Sequence, residues 1–149
     1  MTVAEDELEW RRAVTETRAV LRKASETWAR HSCPASGECC QLSVTKRQPF
    51  LWPSEWRVLT EHLKREKRAL PPPREDGACP FLDASGKRCS VYEARPFGCR
   101  TFFCGRIIGP SKIPADETNA LLERLTALNV AVDDQAEPRA MLDWCAGVP

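Results

Sequence analysis

Trp10, Val14, Leu21, Ala24 and Trp28, with Thr17 in the same stripe, recur at three- and four-residue spacing with charges of both signs between them. That period is one face of an α-helix, so the first thirty residues read as one long amphipathic helix. Its bland role is to pack on a core; its sharper role is to receive a protein partner, on a seam too short and mixed for a coiled coil. A second stripe, Trp56, Leu59 and Leu63, follows Pro53, with Ser54 as the expected N-cap. That helix must end before Pro71-Pro72-Pro73, because proline lacks an N–H and restricts the residue before it. Asp116 is placed to cap a helix carrying Leu121, Leu122, Leu125 and Leu128. Pro138 is placed as the first residue of a last helix ending near Trp144-Cys145.

Between the helices the period shortens. Leu42 and Val44 alternate with Ser43 and Thr45, which predicts a short strand. Between Cys79 and Cys89 the apolar residues come first and the turn residues sit in the middle. This predicts a β-hairpin folded near Ala84–Gly86 that brings Cys79 and Cys89 close together. Tyr92 to Cys104 reads as a turn or short helix interrupted at Pro96 and Gly98. The expected fold class is α+β and mostly helical: one small domain, residues 1–149, with a loop-rich, metal-stapled cysteine centre and a short β-hairpin. The N-terminal helix occupies 1–31, the cysteine core 33–104 and the C-terminal helices 115–149.

Composition sharpens that centre. Seven of the eight cysteines lie between residues 33 and 104, and ten of the twelve prolines lie between 34 and 114. So many thiols exceed what packing needs, leaving disulfides or a metal site. The chain starts Met1-Thr2-Val3-Ala4-Glu5-Asp6, acidic and without the apolar run of a secretion signal. No stretch approaches the roughly 18 apolar residues of a membrane span. The expected location is therefore cytoplasmic, where clustered cysteines read as metal ligands or catalysts rather than disulfides.

A formal net charge of +1 gives no push toward nucleic acid. The distribution is uneven, however. Residues 84–113 hold six bases (Lys87, Arg88, Arg95, Arg100, Arg106 and Lys112) against Glu93, whereas seven acids face Arg124 and Arg139 beyond Ala115. Bases among the cysteines offset thiolate charge and lower thiol pKa values.

The cysteine spacing is Cys33-x5-Cys39-Cys40, then Cys79-x9-Cys89-x9-Cys99-x4-Cys104, then Cys145. Neither the paired C-x2-C knuckles of a zinc ribbon nor the bacterial ferredoxin run is present. The spacing therefore says that two distant segments assemble a thiolate site, without naming the metal. Thiolates suit zinc or an iron–sulfur cluster and disfavour magnesium, calcium or manganese. Of the two histidines, His31 reads as a surface residue at a helix end, with metal ligation the sharper alternative, and His62 as exposed on its helix. Cys145, beside Trp144, reads as a buried structural cysteine.

The run Cys79-Pro80-Phe81-Leu82, then Cys89-Ser90-Val91-Tyr92-Glu93-Ala94-Arg95-Pro96-Phe97-Gly98-Cys99-Arg100-Thr101-Phe102, resembles the YkgJ-type cysteine-cluster proteins. Flagellin lysine N-methylases carry a related domain. With the upstream cysteines the resemblance covers residues 33–104 and leaves out the outer helices. The resemblance implies a zinc- or iron-chelating CxxCxxCC domain, with Cys33, Cys39, Cys40, Cys79, Cys89 and Cys99 as metal ligands and Cys104 as an addition. One position departs from the pattern: Ser36 stands where the family has a second upstream cysteine, and serine is a poor substitute for a thiolate. Cys104, Cys145 or His31 is left to compensate.

Arg95 and Arg100 flank Cys99 and are candidates to contact the cofactor, donating to metal-bound sulfur or carrying a carboxylate. The alternative is a structural ion pair. Phe97, Phe102 and Phe103 are expected to wall off the site, and Tyr92 to pack with its hydroxyl bonded. Two functions follow. One is a [4Fe-4S] protein with a redox or methyl-transfer role. A complete methyltransferase is disfavoured, because no glycine-rich loop follows a strand. The other is a structural zinc module whose N-terminal helix binds a protein partner. No membrane partner is expected, since no stretch is long enough to span one, and nucleic-acid binding has no reading element.

Overall fold

The computed structural model describes residues 2–31, 48–86, 88–101 and 109–147. Helix α1 (Val3–Thr27) is opened by Thr2, which accepts from the Glu5 N–H at 3.2 Å while Glu5 reaches back to the Thr2 N–H at 2.9 Å. This reciprocal box satisfies two donors that a helix start otherwise leaves open. Val14, Thr17, Leu21 and Ala24 are buried as the stripe predicts.

Strand β1 (Phe50–Leu51) leads into α2 (Pro53–Arg65). Its N-cap is Trp52, with Pro53 in the first turn, so Ser54 is not the cap. Proline at the first helical position costs no hydrogen bond and sets the start two residues earlier than a serine cap would. Leu59 and Leu63 are buried, and Trp56 stacks on Trp144 with ring centroids 5.5 Å apart. His62 lies against Glu66 at 3.0 Å with its side chain 12% exposed, so it is largely covered.

A single-turn 3-10 helix spans Tyr92–Ala94, and Pro96 caps the short α3 (Phe97–Arg100). Gly98 lies inside α3 and does not interrupt it. Helix α4 (Ala115–Val132) has Pro114 as its N-cap. Asp116 sits in the first turn, where its charge still suits the helix dipole. Strand β2 (Arg139–Ala140) precedes α5 (Met141–Ala146), so Pro138 opens a strand and not the last helix. β1 and β2 pair antiparallel, Phe50 with Ala140 and Leu51 with Arg139.

The expected hairpin is one bridge long, between Leu82 and Cys89, and Gly86 turns it with φ +74°. The strand expected at Leu42 and Val44 lies outside the described residues. The result is a small, mostly helical domain with two apolar clusters. One gathers Leu51, Leu59, Leu63, Cys79, Phe81, Val91, Met141 and Cys145. The other gathers Val14, Val20, Leu21, Ala24, Val58, Phe97 and Leu125 where α1 packs on α2, α3 and α4.

Candidate metal centre

Of the seven predicted cysteine ligands, Cys79, Cys89 and Cys99 fall within the described residues. Cys33, Cys39, Cys40 and Cys104 lie outside them, as do Phe102 and Phe103. Cys79 is buried in the first apolar cluster and Cys89 packs against it. The Ser90 N–H donates to the Phe81 carbonyl at 2.7 Å, so the hairpin does draw the two cysteine segments together. Cys99 stands on α3, whose Phe97 belongs to the second cluster. Among the described residues no three histidine, cysteine, aspartate or glutamate side chains gather tightly enough to hold a metal ion.

The run into Cys79 is clamped by an arginine fork. Arg74 donates from Nε and Nη2 to the two Asp76 oxygens at 3.0 and 2.8 Å, and from Nη1 to the Leu82 carbonyl at 2.9 Å. Asp76 in turn accepts the Ala78 N–H at 3.0 Å. The Arg74 hydrogen bond, then that N–H, hold the Asp76 carboxyl down at about 2. The hydrogen bond to Asp76 in turn raises the Arg74 pKa. Sequence reading missed this clamp, although Arg-x-Asp two residues before an Ala-Cys step is a local pattern.

Arg95 and Arg100 hold backbone rather than carboxylates. Arg95 donates to the Tyr92 carbonyl at 3.0 Å and the Cys99 carbonyl at 3.2 Å, and lies 3.8 Å from the Tyr92 ring centroid. Tyr92 itself is 60% exposed, not packed inside. Arg100 donates to the carbonyls of Arg95 and Glu93 at 2.7 Å each and to the Ser25 hydroxyl at 3.0 Å. Burial, then the neighbouring Arg95 charge, push Arg100 down to about 10, against an attraction to Cys99. The two arginines therefore fix the loop that carries Cys99 to α1, and Arg100 keeps positive charge beside that thiol.

Glu55 supports α3 from beneath. It is fully buried and accepts the Trp52 N–H at 2.7 Å and the Phe97 N–H at 2.6 Å, joining the starts of α2 and α3. Desolvation raises it to about 7 despite those two donors. A glutamate three residues after an N-cap is legible as half a capping box; its reach to Phe97 is not. Cys145 is buried as expected, and burial pushes its thiol up to about 11.

His31 departs from expectation. It is 8% exposed, tilted against Trp28 with ring centroids 4.9 Å apart. Its Nε2 lies 3.0 Å from the Pro110 carbonyl, and its buried Nδ1 has no hydrogen-bond partner among the described residues. Thiols together with one imidazole nitrogen lacking a partner are soft and borderline donors, which fits zinc or iron and not magnesium or calcium.

A family model described as CxxCxxCC, "putative zinc- or iron-chelating domain", matches residues 31–136. The match begins at His31 and takes in α4, beyond the cysteine span on which the sequence resemblance rests. No curated protein and no solved structure matches the chain.

Proposed function

The chain belongs to the CxxCxxCC family of zinc- or iron-chelating cysteine-cluster domains, and from that premise we propose that it holds an iron–sulfur cluster with a redox role. The observation that carries this reading is how the cysteine segments are held. Phe81 and Val91 are 1% exposed, Arg74 forks Asp76 and the Leu82 carbonyl, and Arg100 forks two carbonyls beside Cys99. Packing and arginine forks already anchor Cys79, Cys89 and Cys99, so chelation is not needed merely to staple them. Seven candidate thiolates exceed the four that one zinc ion or one [4Fe–4S] cluster takes, and leave thiols over for a second role.

Arg100 supplies positive charge beside Cys99, whereas the Arg74 charge is met by Asp76. Positive charge beside cluster sulfur raises the reduction potential, and hydrogen bonds and apolar cover tune it further. A bound cluster would supply one-electron transfer; the chain's own residues set its charge environment and exclude water. Cys33, Cys39, Cys40, Cys79, Cys89, Cys99 and Cys104 are the ligand candidates, with Arg95 and Arg100 positioning the Cys99 loop. The methyl-transfer role implied by resemblance to flagellin lysine N-methylases would need a methyl donor site elsewhere.

Zinc is the second reading, favoured by the imidazole donor at His31, since mixed cysteine–histidine sets are usual for zinc. Anaerobic purification separates the two. A brown protein with broad visible absorption that dithionite bleaches supports the cluster; a colourless protein containing zinc replaces it with the zinc module. For that module, a chelator should unfold the centre of the chain.

A further inference from the structure

We propose that the cleft where α1, α2 and α3 meet is an anion site that takes a small organic phosphate. No described cysteine lines the cleft, so the proposal stands apart from the metal-binding reading.

Charge is the first argument. Arg18 and Arg22 reach the cleft from α1, Arg65 from α2 and Arg100 from α3. Among the described lining residues Glu93 is the one acid. The acids of α2 close by are already engaged. Glu61 pairs with Arg18, and Glu66 lies 3.0 Å from both His62 and Arg68. The guanidinium groups of Arg22 and Arg65 make no ion pair or hydrogen bond among the described residues. Arg22, Arg65 and Arg100 are thus left facing a single carboxylate. A concave wall of one sign draws the opposite ion.

Arg100 is the fixed member of the three. It donates to the Arg95 and Glu93 carbonyls at 2.7 Å each and to the Ser25 hydroxyl at 3.0 Å. Carbonyls and a hydroxyl hold the fork in place without neutralising it. Ser25 accepts in that contact, so its own proton is left to donate, and Ser25 lines the cleft.

Shape selects the anion. A planar carboxylate is filled by one guanidinium fork, whereas a phosphate monoester offers three terminal oxygens to forks arriving from three helices. The cleft holds about 340 Å³, within the range of roughly 300–1,000 Å³ usual for small-molecule sites and more than a bare phosphate fills. Leu21 and Val58, both buried, give it an apolar floor for the organic group.

The test is calorimetric titration of the full chain, purified anaerobically, with phenyl phosphate, inorganic phosphate and benzoate. Phenyl phosphate should bind most tightly and benzoate least. The Arg22→Gln/Arg65→Gln double variant, altered only at exposed side chains, should bind phenyl phosphate about tenfold or more weakly. No binding at millimolar phenyl phosphate, or equal affinity in the double variant, overturns the site. Benzoate binding as tightly as phenyl phosphate overturns the phosphate assignment, and inorganic phosphate doing so overturns the organic group. Phenylglyoxal labelling of the wild type, read residue by residue by mass spectrometry, needs no variant. Phenyl phosphate should protect Arg22 and Arg65 and leave the exposed Arg124 of α4 reactive. Equal labelling with and without the probe, or equal protection of Arg124, overturns the site even where the double variant misfolds.

Discussion

The Glu55 carboxyl joins the first turns of α2 and α3, and burial raises it from 4.5 to about 7. Its folded-state value lies above its unfolded one, so the folded chain binds the proton more tightly. The stabilisation is complete below pH 4.5 and is lost as pH rises through about 7, a change on the order of 3 kcal/mol. Urea unfolding from pH 4.5 to 8 should show this slope in the wild type and not in Glu55→Gln; parallel profiles would show that Glu55 does not titrate in that range. The glutamine variant should also be about 1–3 kcal/mol less stable near pH 5, since an amide offers one acceptor where two N–H groups point. Cysteines divide by the same reasoning. Cys145, pushed up to about 11 in an apolar cluster, is poorly placed to deprotonate. Cys145→Ala should keep the wild-type metal content, whereas Cys99→Ala should lower it; equal losses in both would place Cys145 among the ligands.

At the scale of elements, three helices meet through one buried polar group. The Thr17 hydroxyl of α1 donates to Ser54 Oγ of α2 at 2.8 Å, and Asn129 of α4 donates to the same oxygen at 2.9 Å. The Ser54 N–H returns a bond to Asn129 Oδ1 at 3.0 Å. Ser54→Ala leaves the Thr17 hydroxyl without that acceptor and should cost about 1–3 kcal/mol in thermal or urea unfolding; a neutral result would mean that water replaces the serine oxygen. Arg100→Lys should loosen α3, because an ammonium cannot reproduce the planar fork to Arg95, Glu93 and Ser25. Faster amide exchange confined to residues 93–101 would confirm it, and unchanged exchange would count against the clamp.

These helices were largely legible because burial repeats along each of them: Val14, Leu21 and Ala24, then Leu59 and Leu63. Ser54 misled, because its chemistry suits a cap while Pro53 had already set the start. Pro138 misled in the opposite sense. Its neighbours Arg139 and Ala140 pair with Phe50 and Leu51, and no local pattern reveals a partner that far away in sequence. Tyr92 and His31 were placed by residue type alone, and their tertiary neighbours reversed both expectations.

For the whole molecule, α1 buries its apolar stripe against α2, α3 and α4, and the cluster around Phe81 closes the other side. The partner-helix reading of α1 is left with its charged outer face and the exposed Val3 and Leu8. Among the described residues no helix is long and apolar enough to cross a membrane. The cysteine cluster was the most legible feature, since thiol density and the Cys79–Phe102 run carry it without any fold. Its ligand geometry was not, because it depends on how segments distant in sequence meet. Phe81→Ala should destabilise the chain by about 3–5 kcal/mol and lower metal content with it, as both cysteine segments hang on that side chain.

The most direct test of the central claim is iron, zinc and acid-labile sulfide per chain after anaerobic purification from an unsupplemented host. About four irons and four sulfides are expected, the content of one [4Fe–4S] cluster. One or two zinc ions without sulfide would contradict the iron–sulfur reading and leave a zinc module in its place.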